Sequence, residues 1–326
     1  MKILAVFAGY DKDNIIDDYV VYYIKELKKI ADIIYVSDCN MPDNELNKID
    51  NYCLNTINGR HGEYDFGSYK RGYLYAKENN ILQTYDKIIF CNDSCYGPLF
   101  NLDNILNKMK DYNFGGISIS KDLKIAKHDY ITSFFIIIDK TIFNTSFFNN
   151  FISEIKKEED KMDIIKKYEF GLSKLMIDNN IELKALFDDN GEFNRPYFNP
   201  LSLIEEGYPF LKKHVLEKKI TVPLNIDELK KIIKIIKNNY DIKLIVNHLN
   251  RVADKKQIKY LFQKYKPYKK VFINEKLFFL FTRYSPSGKY QTVYKFFNFL
   301  TISIEKPIKD SYIETNYQDF NFLLEI

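Results

Sequence analysis

The sequence has 326 residues, of which 46% are hydrophobic, and its formal net charge is +4 at pH 7. This length and apolar content predict a sizeable core in one large domain or two smaller ones. The spacing of the four cysteines fits neither a disulfide framework nor a zinc site; they are Cys39, Cys53, Cys91 and Cys95. No apolar run approaches the roughly 20 residues of a membrane span, and no signal-peptide pattern opens the sequence. We therefore expect a cytoplasmic protein with reduced thiols.

Short apolar runs alternate with amphipathic stretches over the first part of the chain. Strands are predicted at residues 2–7 (KILAVF), 33–36 (IIYV), 52–57 and 87–91 (KIIFC), with an edge strand at 116–120. Helices are predicted at residues 15–31, 65–78 and 102–110. This alternation predicts an α/β fold in which helices cover a mainly parallel sheet.

The second half of the chain gives fewer strand signals. One strand is predicted at residues 130–139 (YITSFFIIID), and helices are predicted at 146–157, 169–178 and 224–239. Residues 251–300 hold twelve lysines and arginines against two acids, Asp254 and Glu275, which gives that window a net charge of +10. The basic and aromatic segment at residues 255–295 is typical either of a solvated face over an aromatic core or of contact with an anionic surface.

Ligands of an open parallel sheet bind beyond the carboxyl ends of its strands, and the first such end carries small residues. The segment consists of Phe7, Ala8, Gly9 and Tyr10. Small residues there would let the backbone approach a flat ligand such as a nucleobase. An ordinary strand-to-helix turn is the alternative.

A polar triplet, Asn92, Asp93 and Ser94, directly follows the apolar strand at residues 87–91. A carboxylate in this position can hold a divalent cation, Mg²⁺ or Mn²⁺, which would neutralise a diphosphate leaving group. A simple Asp/Asn turn is the alternative, because the usual metal motif has two acids and this one has a single acid.

A third segment, residues 64–70 (YDFGSYK), combines an acid, a glycine and a base. Asp65 would cap or begin a helix that contains Gly67, and Lys70 would lie near phosphates. A capped surface helix explains the same pattern equally well.

These segments resemble the rhamnan synthesis F family of bacterial polysaccharide glycosyltransferases. The matching stretches are YDFGSYKRG at residues 64–72 and KIIFCNDSCYGPL at 87–99, with weaker matches at 131–140, 167–176 and 203–213. The resemblance implies a GT-A-like, Rossmann-type sheet with a nucleotide-sugar donor across its first half. It also implies transfer of a deoxyhexose, such as rhamnose from dTDP-rhamnose, onto a growing lipid-linked glycan. The family pattern of Asn-x-Gly before residues 64–67 is absent here, where His61, Gly62 and Glu63 stand instead.

The resemblance also suggests roles for Glu169 and His128. In the inverting transferases that this family resembles, an acid at a helix start deprotonates the acceptor hydroxyl, and the helix N-terminus would keep Glu169 ionised. A glutamate favoured in a first turn for the same dipole reason is the alternative. His128 precedes a strand that the family places by the site and could supply a metal ligand, although no two histidines have the spacing of a metal pair.

We therefore expect a GT-A-like domain at residues 1–215 and a helical, basic and aromatic region at 216–326, which could pack on the first as one unit. The expected partners are a nucleotide sugar, a glycan or lipid-linked acceptor and, through the basic segment, the inner face of the membrane. No recognisable module predicts nucleic-acid binding. The competing hypothesis is a non-catalytic partner in a polysaccharide assembly complex, since the triplet at Asp93 holds a single acid.

Overall fold

A computed structural model describes residues 1–121, 126–189, 194–217, 224–254, 256–261, 278–284, 290–296, 300–306 and 318–326. Its strands are β1 (Ile3–Gly9), β2 (Asp32–Ser37), β3 (Asn55–Asn58), β4 (Lys87–Asn92), β5 (Cys95–Tyr96), β6 (Phe114–Ser120), β7 (Tyr130–Ile131), β8 (Phe135–Asp139), β9 (Lys184–Phe187), β10 (Leu211–Lys212), β11 (Phe278–Tyr284), β12 (Tyr290–Phe296) and β13 (Leu300–Lys306).

The α-helices cover the sheet and build the C-terminal region. They are α1 (Asp18–Lys28), α2 (Asp43–Leu46), α3 (Tyr64–Glu78), α4 (Leu102–Lys108), α5 (Lys140–Phe143), α6 (Ser146–Ser153), α7 (Lys161–Ile164), α8 (Gly171–Asp178), α9 (Arg195–Phe198), α10 (Pro200–Glu205), α11 (His214–Glu217), α12 (Ile226–Ile236), α13 (Ile242–Val252) and α14 (Lys256–Leu261). A π-helical segment, Ile165–Phe170, joins α7 to α8 without a break.

The central sheet is parallel in its first half and mixed in its second. Its strand order is β3-β2-β1-β4-β8-β6-β7, and β9 pairs with β6. The neighbours from β3 to β4 are parallel, whereas β8 runs antiparallel to both β4 and β6. Flanking helices pack on both faces, so the predicted class of a mainly parallel sheet covered by helices is confirmed.

Alternation along β1 divides the core between the two faces of the sheet. Ile3, Ala5 and Phe7 belong to a cluster that also holds the apolar faces of α1, α12 and α13. Leu4, Val6 and Ala8 belong to a second cluster under α3. A Cβ added to Gly72 of α3 would come within 2.4 Å of the Val6 side chain, so α3 lies close against β1. This close packing fixes the start of α3 beside the carboxyl end of β1.

Three strand predictions need correction. The edge strand expected at residues 116–120 is an interior strand, since β6 pairs with β7, β8 and β9. The single strand expected at 130–139 is two strands, β7 and β8, separated by Thr132, Ser133 and Phe134. The third strand is shorter than expected, because a 3₁₀ turn at Asp50–Tyr52 precedes it.

The C-terminal region contains the predicted helix over residues 224–239 as α12. Asn225 and Glu228 form a reciprocal capping box at its start, and its buried residues recur at helical spacing. A three-stranded antiparallel sheet, β11-β12-β13, was not predicted. The side chains of the basic segment at residues 255–295 lie largely outside the described residues, so its expected membrane contact stays a prediction. In the described chain, no helix combines the length and apolarity that crossing a membrane requires.

Helix α13 is tied to the start of the chain by Arg251. Its guanidinium group lies 2.6 Å from an Asp11 carboxylate oxygen, 2.5 Å from Asp17 and 3.1 Å from Asp13. Only 22% of the Arg251 side chain is exposed, and 14% of Asp11 and of Asp17. One arginine therefore lies between three acids and reduces their mutual repulsion in the loop between β1 and α1.

Replacing Arg251 with methionine is expected to lower the free energy of unfolding by about 2 kcal/mol, between the values typical of exposed and buried ion pairs. The loss follows because the three carboxylates lose the positive charge that lies between them. Urea denaturation at low ionic strength measures it. Lys28→Met, which removes an exposed pair with Asp32, is the matched control. Equal, small losses in the two variants would contradict a stabilising role for Arg251.

Candidate active site

A cleft of about 580 Å³ opens where the carboxyl ends of β1 and β4 meet the start of α3, the π-helical segment and β10. Parallel pairing places these strand ends together, because Ala8 of β1 lies opposite both Val36 of β2 and Asn92 of β4. Its lining includes Gly9, Tyr10, Asp38, Arg60, Tyr64, Asp65, Asn92, Asp93, Ser94, Tyr130, Ser133, Phe134, Lys161, Glu169, Tyr197, Lys212 and Lys213. Acidic and basic side chains from five separate parts of the chain thus face one space.

The end of β1 forms an open, aromatic corner of the cleft. A Cβ on Gly9 would come within 2.1 Å of the Tyr35 hydroxyl oxygen, so only glycine fits beside that ring. Tyr10 is 47% exposed, and the Arg60 guanidinium carbon lies 5.2 Å from its ring centroid. A flat ring flanked by a guanidinium group is a surface on which a nucleobase can stack.

Asp38, just after β2, holds the loop that carries Arg60. Its Oδ1 accepts hydrogen bonds from the backbone N–H groups of His61, at 2.8 Å, and Gly62, at 2.6 Å. Arg60 in turn donates to the Asp38 carbonyl oxygen at 2.6 Å. These bonds fix the backbone that leads into α3, and thereby the position of Asp65.

Asp93 joins three elements at the floor of the cleft. Its Oδ2 accepts the Tyr10 N–H at 3.0 Å, and its carbonyl oxygen accepts the Tyr19 hydroxyl at 3.0 Å. The Lys213 Nζ lies 3.9 Å from its Oδ1. Burial raises the pKa of Asp93 above its usual range, although Lys213 and the Tyr10 N–H act in the opposite direction.

A hydrogen-bonded chain runs from Asp65 to Lys212 through the polar triplet. Asn92 Nδ2 donates to Asp65 Oδ2 at 2.7 Å, and its Oδ1 accepts the Ser94 hydroxyl at 2.6 Å. Lys212 Nζ donates to Ser94 Oγ at 3.0 Å. Burial, together with the negative charge of Asp93, raises the pKa of Asp65 to about 6. The triplet therefore holds the Asp65 carboxylate and the Lys212 ammonium group at a fixed separation.

Glu169 lies inside a continuous helix and not at a helix start, which corrects the sequence prediction. The π-helical segment Ile165–Phe170 carries it, and such segments are frequent at functional sites. Its Oε1 accepts the Ser133 N–H at 2.9 Å, from the break between β7 and β8. Burial raises the pKa of Glu169, the reverse of the expected effect of a helix N-terminus, although the Ser133 hydrogen bonds lower it in part.

Five of the predicted site residues lie away from the cleft lining. Phe7 and Ala8 are buried in β1, where the Phe7 ring packs against Tyr23 and Tyr35. Lys70 donates to the Ile155 carbonyl oxygen at 2.6 Å instead of facing a phosphate. Gly67 and His128 also lie outside it: a Cβ at Gly67 would meet Glu63 at 2.3 Å, and the His128 Nδ1 lies 2.8 Å from the Asp129 carbonyl oxygen.

The sequence did not single out several residues that line the cleft. Lys212 and Lys213 come from β10 and the turn after it, and they appeared only inside a weak family match. No sequence pattern indicated a functional role for Arg60, Asp38 or Tyr197, since single polar or aromatic residues in loops are common. Only their position near the strand ends brings them to the site.

The side chains in the described parts of the chain do not fit a protein-held metal ion. No group of three or more His, Cys, Asp or Glu side chains among them is placed to hold one. Asp93 Oδ2 already accepts the Tyr10 N–H, and its Oδ1 faces the Lys213 ammonium group. A cation there would take most of its ligands from a diphosphate and water. The expected Mg²⁺ or Mn²⁺ therefore stays a prediction.

Replacing Asp65 with asparagine is expected to stabilise the protein at pH 7.5 and to leave its stability unchanged below pH 4. The folded pKa of about 6 lies above the ordinary value of 3.8, so the folded state binds more protons between them. Wild-type stability is therefore lost as pH rises through this window, and asparagine removes that loss. The gain is at most about 3 kcal/mol and is reduced by water in the cleft. Urea denaturation at both pH values measures it, and a gain that is the same at both would contradict the raised pKa.

Comparison with known proteins adds a family and several distant similarities. The family model described as rhamnan synthesis protein F matches residues 33–281. The uncharacterized protein y4gN of Sinorhizobium fredii is 22% identical over 174 residues, which cover 52% of this chain and 45% of the relative. The chain thus spans less than half the length of that curated relative.

Two solved structures are similar to this chain at low TM-scores. The mannosyltransferase Ktr4p from S. cerevisiae, in complex with GDP, is 7% identical, with a TM-score of 0.32 over 51% of this chain and 62% of that one. A cytidylyltransferase from Leptospira borgpetersenii is 14% identical, with a TM-score of 0.37 over 59% of this chain and 79% of that one. Similarities of this size identify neither a substrate nor a reaction.

Proposed function

The chain belongs to the rhamnan synthesis protein F family, and from that premise we propose that it is a glycosyltransferase. It moves a sugar from a nucleotide-diphosphate donor to a growing surface polysaccharide such as a capsule, O-antigen or rhamnan. The observation that carries the proposal is the set of charged groups that share one cleft. Three carboxylates, from Asp65, Asp93 and Glu169, and two lysines, Lys212 and Lys213, face it at the carboxyl ends of β1 and β4.

In this proposal the nucleoside lies over the end of β1. Gly9 lines this end of the cleft, and Tyr10 and Arg60 supply the stacking surface. The diphosphate then lies beside Asn92, Asp93 and Ser94, where the two lysines approach. Asp65 and the neighbouring side of the cleft would hold the donor sugar, because polar groups beyond the diphosphate must hydrogen-bond its hydroxyls.

Glu169 is the proposed general base. Its raised pKa makes it a stronger base than an exposed glutamate, and its hydrogen bond from Ser133 fixes its orientation. It would accept the proton of the acceptor hydroxyl as that oxygen attacks the anomeric carbon. The bond from the anomeric carbon to the diphosphate oxygen breaks on the opposite face, and the nucleoside diphosphate departs with the electron pair. The reaction therefore inverts the configuration at that carbon.

The donor is proposed to be dTDP-rhamnose or a related deoxyhexose, and the acceptor a lipid-linked glycan at the inner face of the membrane. Support comes from the family alone.

Donor binding and slow hydrolysis with a panel of nucleotide sugars test the proposal, with Mn²⁺, with Mg²⁺ and with EDTA. We expect one deoxyhexose donor to bind and to be hydrolysed above the buffer rate. Binding of a donor without turnover, even when glycan acceptors are added, would favour a non-catalytic partner in polysaccharide assembly. No binding of any nucleotide by the folded protein would overturn the donor site.

A further inference from the structure

Lys212 is a buried lysine whose charge faces the cleft. It ends β10, which pairs antiparallel with β5, and its residue is only 8% exposed. Its Nζ donates to Ser94 Oγ at 3.0 Å and lies 3.9 Å from the centroid of the Phe134 ring. Among the residues with described side chains, no carboxylate makes a direct ion pair with it, and Glu169 and Asp65 act on its charge at longer range.

The contrast with Lys87 shows what such a position costs. Lys87 is as deeply buried, at 3% exposed, but its Nζ lies 3.1 Å from Asp139 Oδ2 and 2.6 Å from the Tyr112 carbonyl oxygen. Burying a charge without a counter-ion is unfavourable by roughly several kcal/mol. Within the described part of the chain, Lys212 has no such direct carboxylate partner: its charge faces the cleft, where the carboxylates of Glu169 and Asp65 act on it at longer range and an anionic ligand can approach it.

Lys213 brings a second positive charge to the same place. Residues that follow one another in a strand point to opposite faces, but β10 ends at Lys212 and the chain turns there. Lys213 Nζ donates to the Tyr19 hydroxyl at 2.6 Å, and its backbone N–H donates to the Ser94 carbonyl oxygen at 3.1 Å. The two ammonium groups therefore both lie at the Asn92–Ser94 turn, Lys212 beside Ser94 and Lys213 near Asp93.

We propose that Lys212 and Lys213 bind the diphosphate of the donor and neutralise it, so that donor binding needs no divalent cation. This inference rests on the proposed function and assigns its diphosphate subsite. Each phosphate of a nucleotide sugar carries one negative charge, and each attracts an ammonium group that lies beside the Asn92–Ser94 turn. When the anomeric bond breaks, the departing diphosphate gains a further negative charge, and the same lysines stabilise it.

The test uses the full chain and three free nucleoside diphosphates, dTDP, UDP and GDP, with the corresponding nucleosides as probes that lack phosphate. Calorimetric titration with EDTA and with Mg²⁺ gives the dissociation constants. We expect the preferred diphosphate to bind with constants that agree within about twofold in the two buffers. Binding that disappears in EDTA and returns with Mg²⁺ would overturn the inference and leave the proposed function standing. Binding of no nucleotide in either buffer would overturn the proposed function itself.

Two variants separate a ligand-binding lysine from a structural one. Lys212→Met is expected to weaken diphosphate binding at least tenfold and to leave nucleoside binding unchanged. Its melting temperature is expected to fall less than that of Lys87→Met, because Lys212 makes no direct ion pair with a described carboxylate, whereas Lys87 pairs with Asp139. Lys87→Met is the buried control and is expected to lower the melting temperature while the protein still binds the diphosphate. Lys174→Met, at an exposed lysine, is expected to change neither quantity. Unchanged diphosphate affinity in folded Lys212→Met would contradict the assignment.

Discussion

Replacing Glu169 with glutamine is expected to lower kcat for sugar transfer by about 10² to 10⁴-fold, the usual contribution of a general base. Glutamine has nearly the same shape and can still accept the Ser133 N–H through its amide oxygen. The substitution therefore removes the proton acceptor while it keeps the hydrogen bond. Donor affinity and melting temperature should remain close to those of the wild type. The measurement is product formation under saturating donor and acceptor.

The pH dependence of the reaction provides an independent check on Glu169. A base acts only when it is ionised, and burial raises the pKa of this carboxyl above its ordinary value of 4.5. The kcat of the wild type should fall as pH decreases through that raised pKa, and Glu169→Gln should lose this limb of the profile. Glu154→Gln, at an exposed position, is the control and should retain it. A glutamine variant with wild-type kcat would exclude Glu169 as the base.

Replacing Asp93 with alanine is expected to reduce donor turnover at least 100-fold in a protein that remains folded, a loss of the size seen when a charged catalytic-site group is removed. The carboxylate holds the Tyr10 backbone at the nucleoside end and lies 3.9 Å from Lys213 at the diphosphate end. Without it, the Tyr10 backbone loses its hydrogen-bond acceptor and the Lys213 ammonium group loses the carboxylate beside it. Hydrolysis of the donor identified by the panel measures the loss, and circular dichroism verifies the fold.

Asparagine at position 93 separates two explanations for that loss. Its amide oxygen can still accept the Tyr10 N–H, but it carries no charge opposite Lys213. We expect Asp93→Asn to be nearly as inactive as Asp93→Ala, because the negative charge positions the ammonium group. If asparagine restored most of the activity, Asp93 would act only as a hydrogen-bond acceptor for the loop.

The centre of the site could be predicted because local sequence and topology agree there. Asn92 ends β4 and Asp93 and Ser94 follow it, directly after the apolar run at residues 88–91 that marks a buried strand. Asp65 was found through its place in a recognisable motif, and α3 brings it within 2.7 Å of Asn92. In both cases the signal lies within a few consecutive residues.

The lysines could not be predicted, because their placement depends on distant pairing. Lys212 meets Ser94, 118 residues earlier in the chain, through a strand of two residues. A Lys-Lys pair also occurs at Lys28 and Lys29, where both side chains pair with acids near the surface. Local sequence does not distinguish the two pairs. Glu169 was found, but its helix position was wrong, because the helical stretch was predicted to begin at the acid itself.

The helix that carries Glu169 has its buried apolar residues at an unusual spacing. Ile164, Tyr168, Leu172 and Met176, all in the core under α3, recur at every fourth residue. An α-helix with 3.6 residues per turn would rotate such a series by about 40° at each step and carry it out of the core. The wider π turn absorbs that rotation, so the helix keeps its apolar face inward while Glu169 points into the cleft. The length of the π-helical segment therefore matters for function. A homologue with one residue fewer between Ile164 and Gly171 could keep a continuous helix, but it could not keep both the apolar packing and the position of the carboxylate.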